Sequence, residues 1–135
     1  MISRRFVLRM SAIIVLAGTS SPAMAVYRRA SAIRMIDTDN DGTIDLAEAK
    51  KAASNLFARL DRDHDGTVDR RELGGRLNGR EFAAADGDHD GSLTLNEYLA
   101  VVEQRFNTAN RDGDGTLDTK ELNSSAGRAL LRLLK

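Results

Sequence analysis

After the first 25 residues the chain alternates two textures. Short polar, acidic runs each hold one aliphatic residue, and longer stretches between them carry apolar residues at helical spacing. In the first such stretch Ala49, Ala53, Phe57 and Leu60 fall at i, i+4, i+8 and i+11, one unbroken amphipathic stripe. Tyr98, Val102, Phe106 and Ala109 repeat that spacing. The pattern predicts two helices, near Leu46 to Leu60 and Leu95 to Ala109, each roughly 22 Å long at about 1.5 Å per residue. The alternative is a bend near Ser54 or Asn107 that divides each into two very short helices. Between them, Leu73-Gly74-Gly75-Arg76-Leu77-Asn78-Gly79 interrupts the stripe, and its glycines mark a hinge between an N-terminal and a C-terminal half.

The polar runs are four copies of one twelve-residue unit. They read DTDNDGTIDLAE from Asp37, DRDHDGTVDRRE from Asp61, DGDHDGSLTLNE from Asp86 and NRDGDGTLDTKE from Asn110, with starts 24, 25 and 24 residues apart. Each has side-chain oxygens at positions 1, 3 and 5, Gly at position 6, an aliphatic residue at position 8 (Ile44, Val68, Leu93, Leu117) and Glu at position 12. The residue four before each unit is apolar (Ile33, Phe57, Phe82, Phe106), and so is the one after its Glu (Ala49, Leu73, Tyr98, Leu122).

Of the chain's 20 acids, 18 lie inside these units, always at positions 1, 3, 5, 9 or 12; Glu81 and Glu103 are the exceptions. A merely solvated acidic face would scatter its charges over every phase. Carboxylates crowded into one turn repel one another, a costly arrangement without a cation to neutralise it. Alternation at positions 1, 3 and 5 lets a tightly curved segment aim successive oxygens at one centre. Gly42, Gly66, Gly91 and Gly115 allow the sharp bend this requires. An all-oxygen donor set without His or Cys favours a hard cation.

The unit resembles the calcium loop of the EF-hand family, D-x-[DN]-x-[DN]-G-x5-E, and four matches at fixed spacing make the resemblance strong. It implies an all-α fold: a compact array of short helices and four calcium loops joined by short β-bridges. It also implies Ca²⁺ as cofactor and a set of ligands. In the first loop these are Asp37, Asp39, Asp41, the Thr43 carbonyl and Glu48, and in the second Asp61, Asp63, Asp65, the Thr67 carbonyl and Glu72. In the third they are Asp86, Asp88, Asp90, the Ser92 carbonyl and Glu97, and in the fourth Asn110, Asp112, Asp114, the Thr116 carbonyl and Glu121. Position 9 (Asp45, Asp69, Thr94, Asp118) acts through a water, and the side chain at position 7 is free to vary. A bidentate Glu raises the coordination number to about seven, which suits Ca²⁺ better than Mg²⁺. Loop 4 is expected to be weakest, since Asn110 supplies a neutral oxygen at position 1.

The family usually has some two dozen residues between neighbouring loops, whereas here only about half that number is present. Loops at opposite ends of one continuous helix cannot bring their position-8 residues together, so that version requires cross-pairing between halves, or dimerisation. The halves are expected over 26–75, with the first two loops, and 76–135, with the last two.

The first 25 residues lack acids and combine Arg4, Arg5 and Arg9 with the apolar run Met10 to Gly18 and a small-residue end, Ser20-Ser21-Pro22-Ala23-Met24-Ala25. This is the pattern of a secretory signal peptide cut after Ala25, of the ordinary or the twin-arginine type. It predicts a periplasmic or secreted protein with no stable membrane span. The formal charge of the whole chain is zero, but residues 26–135 keep all 20 acids against 17 bases, a net of −3.

With no Cys and 4% aromatic residues, disulfides and thiolate chemistry are excluded and the core must be thin. His64 and His89, both at position 4, read as solvated turn residues. No nucleophile–base pair, phosphate loop or nucleic-acid pattern is present, so neither an enzyme nor a nucleic-acid partner is expected. Leu130-Leu131-Arg132-Leu133-Leu134 reads as the closing edge of the fourth hand. The functions that remain are a calcium buffer, a calcium sensor or a calcium-stabilised scaffold, with a calcium-dependent docking or adhesion module as the alternative. A protein partner is not identifiable from the sequence.

Overall fold

The computed structural model describes residues 31–135, so the expected signal peptide lies outside the described residues. It opens with a helix over 31–36, α1. There follow β1 (Ile44–Asp45), α2 (Leu46–Leu60), β2 (Thr67–Asp69), α3 (Gly79–Ala85), β3 (Ser92–Thr94), α4 (Leu95–Ala109), β4 (Thr116–Leu117), α5 (Thr119–Leu122) and α6 (Ser125–Leu131). The fold is a helical array with minimal strand bridges.

The two long helices are continuous and run over the expected ranges. Their stripes Ala49/Ala53/Phe57/Leu60 and Tyr98/Val102/Phe106/Ala109 are buried, and the Phe57 and Tyr98 rings meet at 5.6 Å between centroids. Lys50 Nζ pairs with Glu103 Oε2 at 2.6 Å across the exposed side of this contact. Each long helix therefore carries a polar loop at either end and faces the other through its apolar side.

Continuity decides how the strands pair. β1 pairs antiparallel with β4, placing Ile44 opposite Leu117 and Asp45 opposite Thr116. β2 pairs with β3, placing Thr67, Val68 and Asp69 opposite Thr94, Leu93 and Ser92. Loop 1 thus joins loop 4 and loop 2 joins loop 3, the cross-pairing that unbroken helices require, achieved within one chain. All four position-8 residues are completely buried. One apolar core runs from Ile33 to Leu134 through residues of every loop and both long helices.

The middle connector has no long helix. Gly74 and Gly75 take φ of 57° and 78°, which end the turn after Glu72. Gly79, by contrast, does not break a helix but begins α3, where the Asn78 side chain accepts from the N–H groups of Arg80 and Glu81 while Glu81 reaches back to the Asn78 N–H. This reciprocal cap satisfies donors that a seven-residue helix would otherwise leave open. Arg105 then ties α3, α4 and α6 together: its guanidinium donates to Glu81 Oε1 at 2.8 Å and to the Ala129 carbonyl at 2.6 Å. The C-terminal leucines Leu130, Leu131, Leu133 and Leu134 are buried, and the Tyr98 hydroxyl donates to the Leu133 carbonyl at 2.8 Å.

Candidate metal centre

Three of the four loops bring three carboxylates together. Oxygens of Asp37, Asp39 and Glu48 all lie within 4.8 Å of one another, as do those of Asp61, Asp63 and Glu72 and those of Asp86, Asp88 and Glu97. These are positions 1, 3 and 12. The position-5 acids Asp41, Asp65, Asp90 and Asp114 stand outside these groups. Loop 4 forms no such group, because Asn110 replaces the first acid and leaves Asp112 and Glu121.

The position-12 glutamate is fixed in the same way four times. In loop 1, Glu48 Oε1 accepts from the Thr38 N–H at 2.6 Å, and its Oε2 accepts from the Asp45 N–H at 3.1 Å. Glu72 is held by the N–H groups of Arg62 and Asp69, Glu97 by those of Gly87 and Thr94, and Glu121 by those of Arg111 and Asp118. The carboxylate that closes each loop is thereby oriented by backbone at positions 2 and 9, and loop 4 keeps this clamp intact.

Position 1 anchors the bend. Asp37, Asp61 and Asp86 each accept through Oδ2 from the N–H of the position-6 glycine at 2.9, 3.0 and 2.9 Å. Those glycines have φ of 85–87°, where a side chain would be strained. Asn110 instead accepts through Oδ1 from the Gly113 N–H at 3.1 Å. Position 4 is also left-handed: Asn40, His64 and His89 have φ of 60°, 59° and 57°, and Gly113 has 72°. The Asn, His, His, Gly sequence at this position was the available signal, since Asn and Gly tolerate that conformation best.

Two further roles were missed by the sequence reading. The side chain at position 7 is not idle: the hydroxyls of Thr43, Thr67, Ser92 and Thr116 donate to the position-5 aspartates Asp41, Asp65, Asp90 and Asp114 at 2.7 to 3.1 Å. The restriction to Thr and Ser in all four copies signalled it. Position 9 caps the segment that follows. The side chains of Asp45, Asp69, Thr94 and Asp118 accept from the N–H groups of Glu48, Glu72, Glu97 and Glu121. The D/T-x-x-E spacing is a capping box legible in the sequence.

Charge is unevenly shared inside the loops. Desolvation opposes ionisation of Asp37, but N–H donors from Gly42 and Asn40 outweigh it and hold its carboxyl below the ordinary value. Asp86 is lowered in the same way, with the Gly91 N–H as its main donor. The position-3 acids go the other way. At Asp39, Asp63 and Asp88 a backbone N–H favours the charged form, yet it is outweighed by desolvation, by the hydrogen bond to the position-1 carboxyl and by the neighbouring charges, and the carboxyl is pushed up. An acid raised by its neighbours is one that a cation would relieve. The donor set fits that role: oxygen throughout, hard, and convergent, with neither His in these groups.

A family model described as EF hand matches residues 29–51, 54–75 and 80–102, together just over half the chain. The chain belongs to the EF-hand family. The three matches contain loops 1, 2 and 3, the same loops in which three carboxylates converge. Among curated proteins no match is found.

Proposed function

We propose that this is an exported calcium-binding protein that holds Ca²⁺ in loops 1, 2 and 3 and, more weakly, in loop 4, and that it works as a calcium buffer or calcium-stabilised scaffold and not as an enzyme. The observation that carries this reading is the repeated convergence of the acids at positions 1, 3 and 12 around a glutamate clamped by backbone N–H groups. Asp37, Asp39 and Glu48, Asp61, Asp63 and Glu72, and Asp86, Asp88 and Glu97 would hold the ions. The carbonyls at position 7 and the position-5 acids Asp41, Asp65 and Asp90 complete the sets that the family resemblance implies. In loop 4 Asn110, Asp112, Asp114, the Thr116 carbonyl and Glu121 would do so with less negative charge.

Export rests on the leader: paired arginines, a short apolar run and an Ala-x-Ala end. Among the described residues no helix is long and apolar enough to cross a membrane. The preference for buffer or scaffold over sensor rests on where the apolar side chains lie. Sensors expose a Met-rich groove when calcium binds. Here the C-terminal leucines fill the core, and among the described residues the exposed large apolar side chains are Met35 and Leu95.

Far-ultraviolet circular dichroism with and without chelator tests the reading. A thin core that must overcome carboxylate repulsion predicts helix loss on chelation. Helix content indifferent to chelator would contradict the scaffold role.

A further inference from the structure

We infer that the outer side of α6, the C-terminal turn and α1 together form a face that docks on a membrane surface rich in anionic phospholipids, its cations on the headgroups and Met35 in the acyl boundary. The inference goes beyond calcium binding and does not depend on which ion the loops hold. It starts from how charge is segregated. From Asn123 to Lys135 the sequence has no acid but carries Arg128, Arg132 and Lys135 at i, i+4 and i+7. All three are exposed, while Leu130, Leu131, Leu133 and Leu134 between them are buried. The net charge of the chain is set by its acidic loops and does not describe this basic stripe.

Two adjoining grooves share Lys135. One is lined by Arg128, Arg132 and Lys135, and the other brings Lys135 and Arg59 together with Met35. No acid lines either groove. Among the described residues the ion pairs engage Lys50 and Arg105, and none of these four cations. Arg132 acts on Glu81 at longer range, but that carboxylate is already bonded to Arg105. Met35 is 82% exposed on a helix whose Ile33 and Ile36 are buried, so an apolar side chain stands in water beside the cations. The stripe is also held in place: the Tyr98 hydroxyl donates to the Leu133 carbonyl, and the Arg76 guanidinium donates to the Lys135 carbonyl at 3.4 Å. An acidic protein would engage the cations alone. A lipid surface engages both parts, because headgroup phosphates attract the bases while the acyl boundary takes up Met35. The residues between the expected cut and α1, Val26-Tyr27-Arg28-Arg29-Ala30, add two bases and a Tyr, types suited to a membrane–water interface.

The test is co-sedimentation with vesicles in the presence of CaCl₂, using the protein from Val26 onward so that the leader cannot bind lipid itself; its core, Ile33 to Leu134, is complete in that form. The expected result is binding to phosphatidylcholine vesicles containing about 30% phosphatidylglycerol, and none to phosphatidylcholine alone. Arg128→Gln/Arg132→Gln/Lys135→Gln is expected to weaken binding by about 30-fold or more. Arg71→Gln/Arg80→Gln/Lys120→Gln removes the same charge from exposed positions elsewhere and should cost less than about threefold. Met35→Ser, which leaves every cation in place, should weaken binding by about three- to tenfold. Circular dichroism confirms that each variant keeps its helices, since every substituted side chain is exposed. No binding to the anionic vesicles overturns the inference, as does equal loss in the two triple variants, which would reduce the effect to net charge. Loss in the first triple variant with none in Met35→Ser would point to an acidic protein and also overturn it. Binding that vanishes with chelator but ignores the first triple variant would mean that calcium bridges loops to lipid, overturning the docking face while leaving calcium binding intact.

Discussion

Ile44 and Leu117 come from the first and last loops of the chain, yet they lie directly opposite one another and neither has any exposed surface. The fold is closed by this pair as much as by its long helices. Leu117→Ala removes buried apolar surface at a place where β1 and α5 restrict relaxation. We expect a loss of about 2–4 kcal/mol, read as a shift of the urea midpoint in saturating calcium. Exposed Leu95→Ala should cost less than about 1 kcal/mol.

Gly127 lies where the backbone of α6 packs against that of α5. A methyl group there would sit 2.5 Å from Leu122 Cα, against backbone that cannot turn aside. Gly127→Ala, which improves helix propensity on an open helix, is therefore expected to destabilise the protein by about 1–3 kcal/mol. Thermal unfolding checks the sign; a rise in Tm would mean that α6 is free to move away.

Asp88 sits among like charges that oppose its own. Its carboxyl is raised above the ordinary value, the charged form being favoured by the Asp90 N–H but opposed more strongly by desolvation and by Asp86, Asp90 and Glu97. Asp88→Asn should raise the Tm of the chelated protein and at the same time weaken calcium at loop 3 by about tenfold, since site affinity follows ligand charge. Opposite signs in the two measurements are the signature; loss of both would indicate ordinary structural damage.

Tyr98 gives the fold a defined alkaline limit. Its hydroxyl is bonded to the Leu133 carbonyl, and burial pushes its pKa up to about 12 from an ordinary 10. Because the folded pKa is the higher, the contribution is intact below pH 10. It is lost as pH rises towards 12, where the unfolded chain gives up its proton and the folded one does not. The loss amounts to about 2–3 kcal/mol. Denaturant midpoints between pH 9 and 12 should fall in the native protein and fall less in Tyr98→Phe.

The sequence made the periodic parts of this molecule plain. Ala49 to Leu60 and Tyr98 to Ala109 announced two unbroken helices, because an apolar stripe of period 3.6 has to be buried along its whole length. Ile44, Val68, Leu93 and Leu117 announced themselves as core by being the one aliphatic residue in each acidic run. Which of them would meet was open, because pairing depends on where two rigid helices carry their ends. The hydroxyls at position 7 and the caps at position 9 were hidden by assigning those residues to the metal alone. Gly127 gave no signal, since its constraint is a close approach of two short helices and not a turn. Arg105 was equally silent: an ion pair to Glu81 and a carbonyl on α6 exist only once three helices have met.

Isothermal calorimetry of calcium added to the purified protein addresses the central claim most directly. The convergent acids of loops 1, 2 and 3 predict saturable uptake of at least three ions per chain, with a weaker fourth. No binding at millimolar calcium would contradict it.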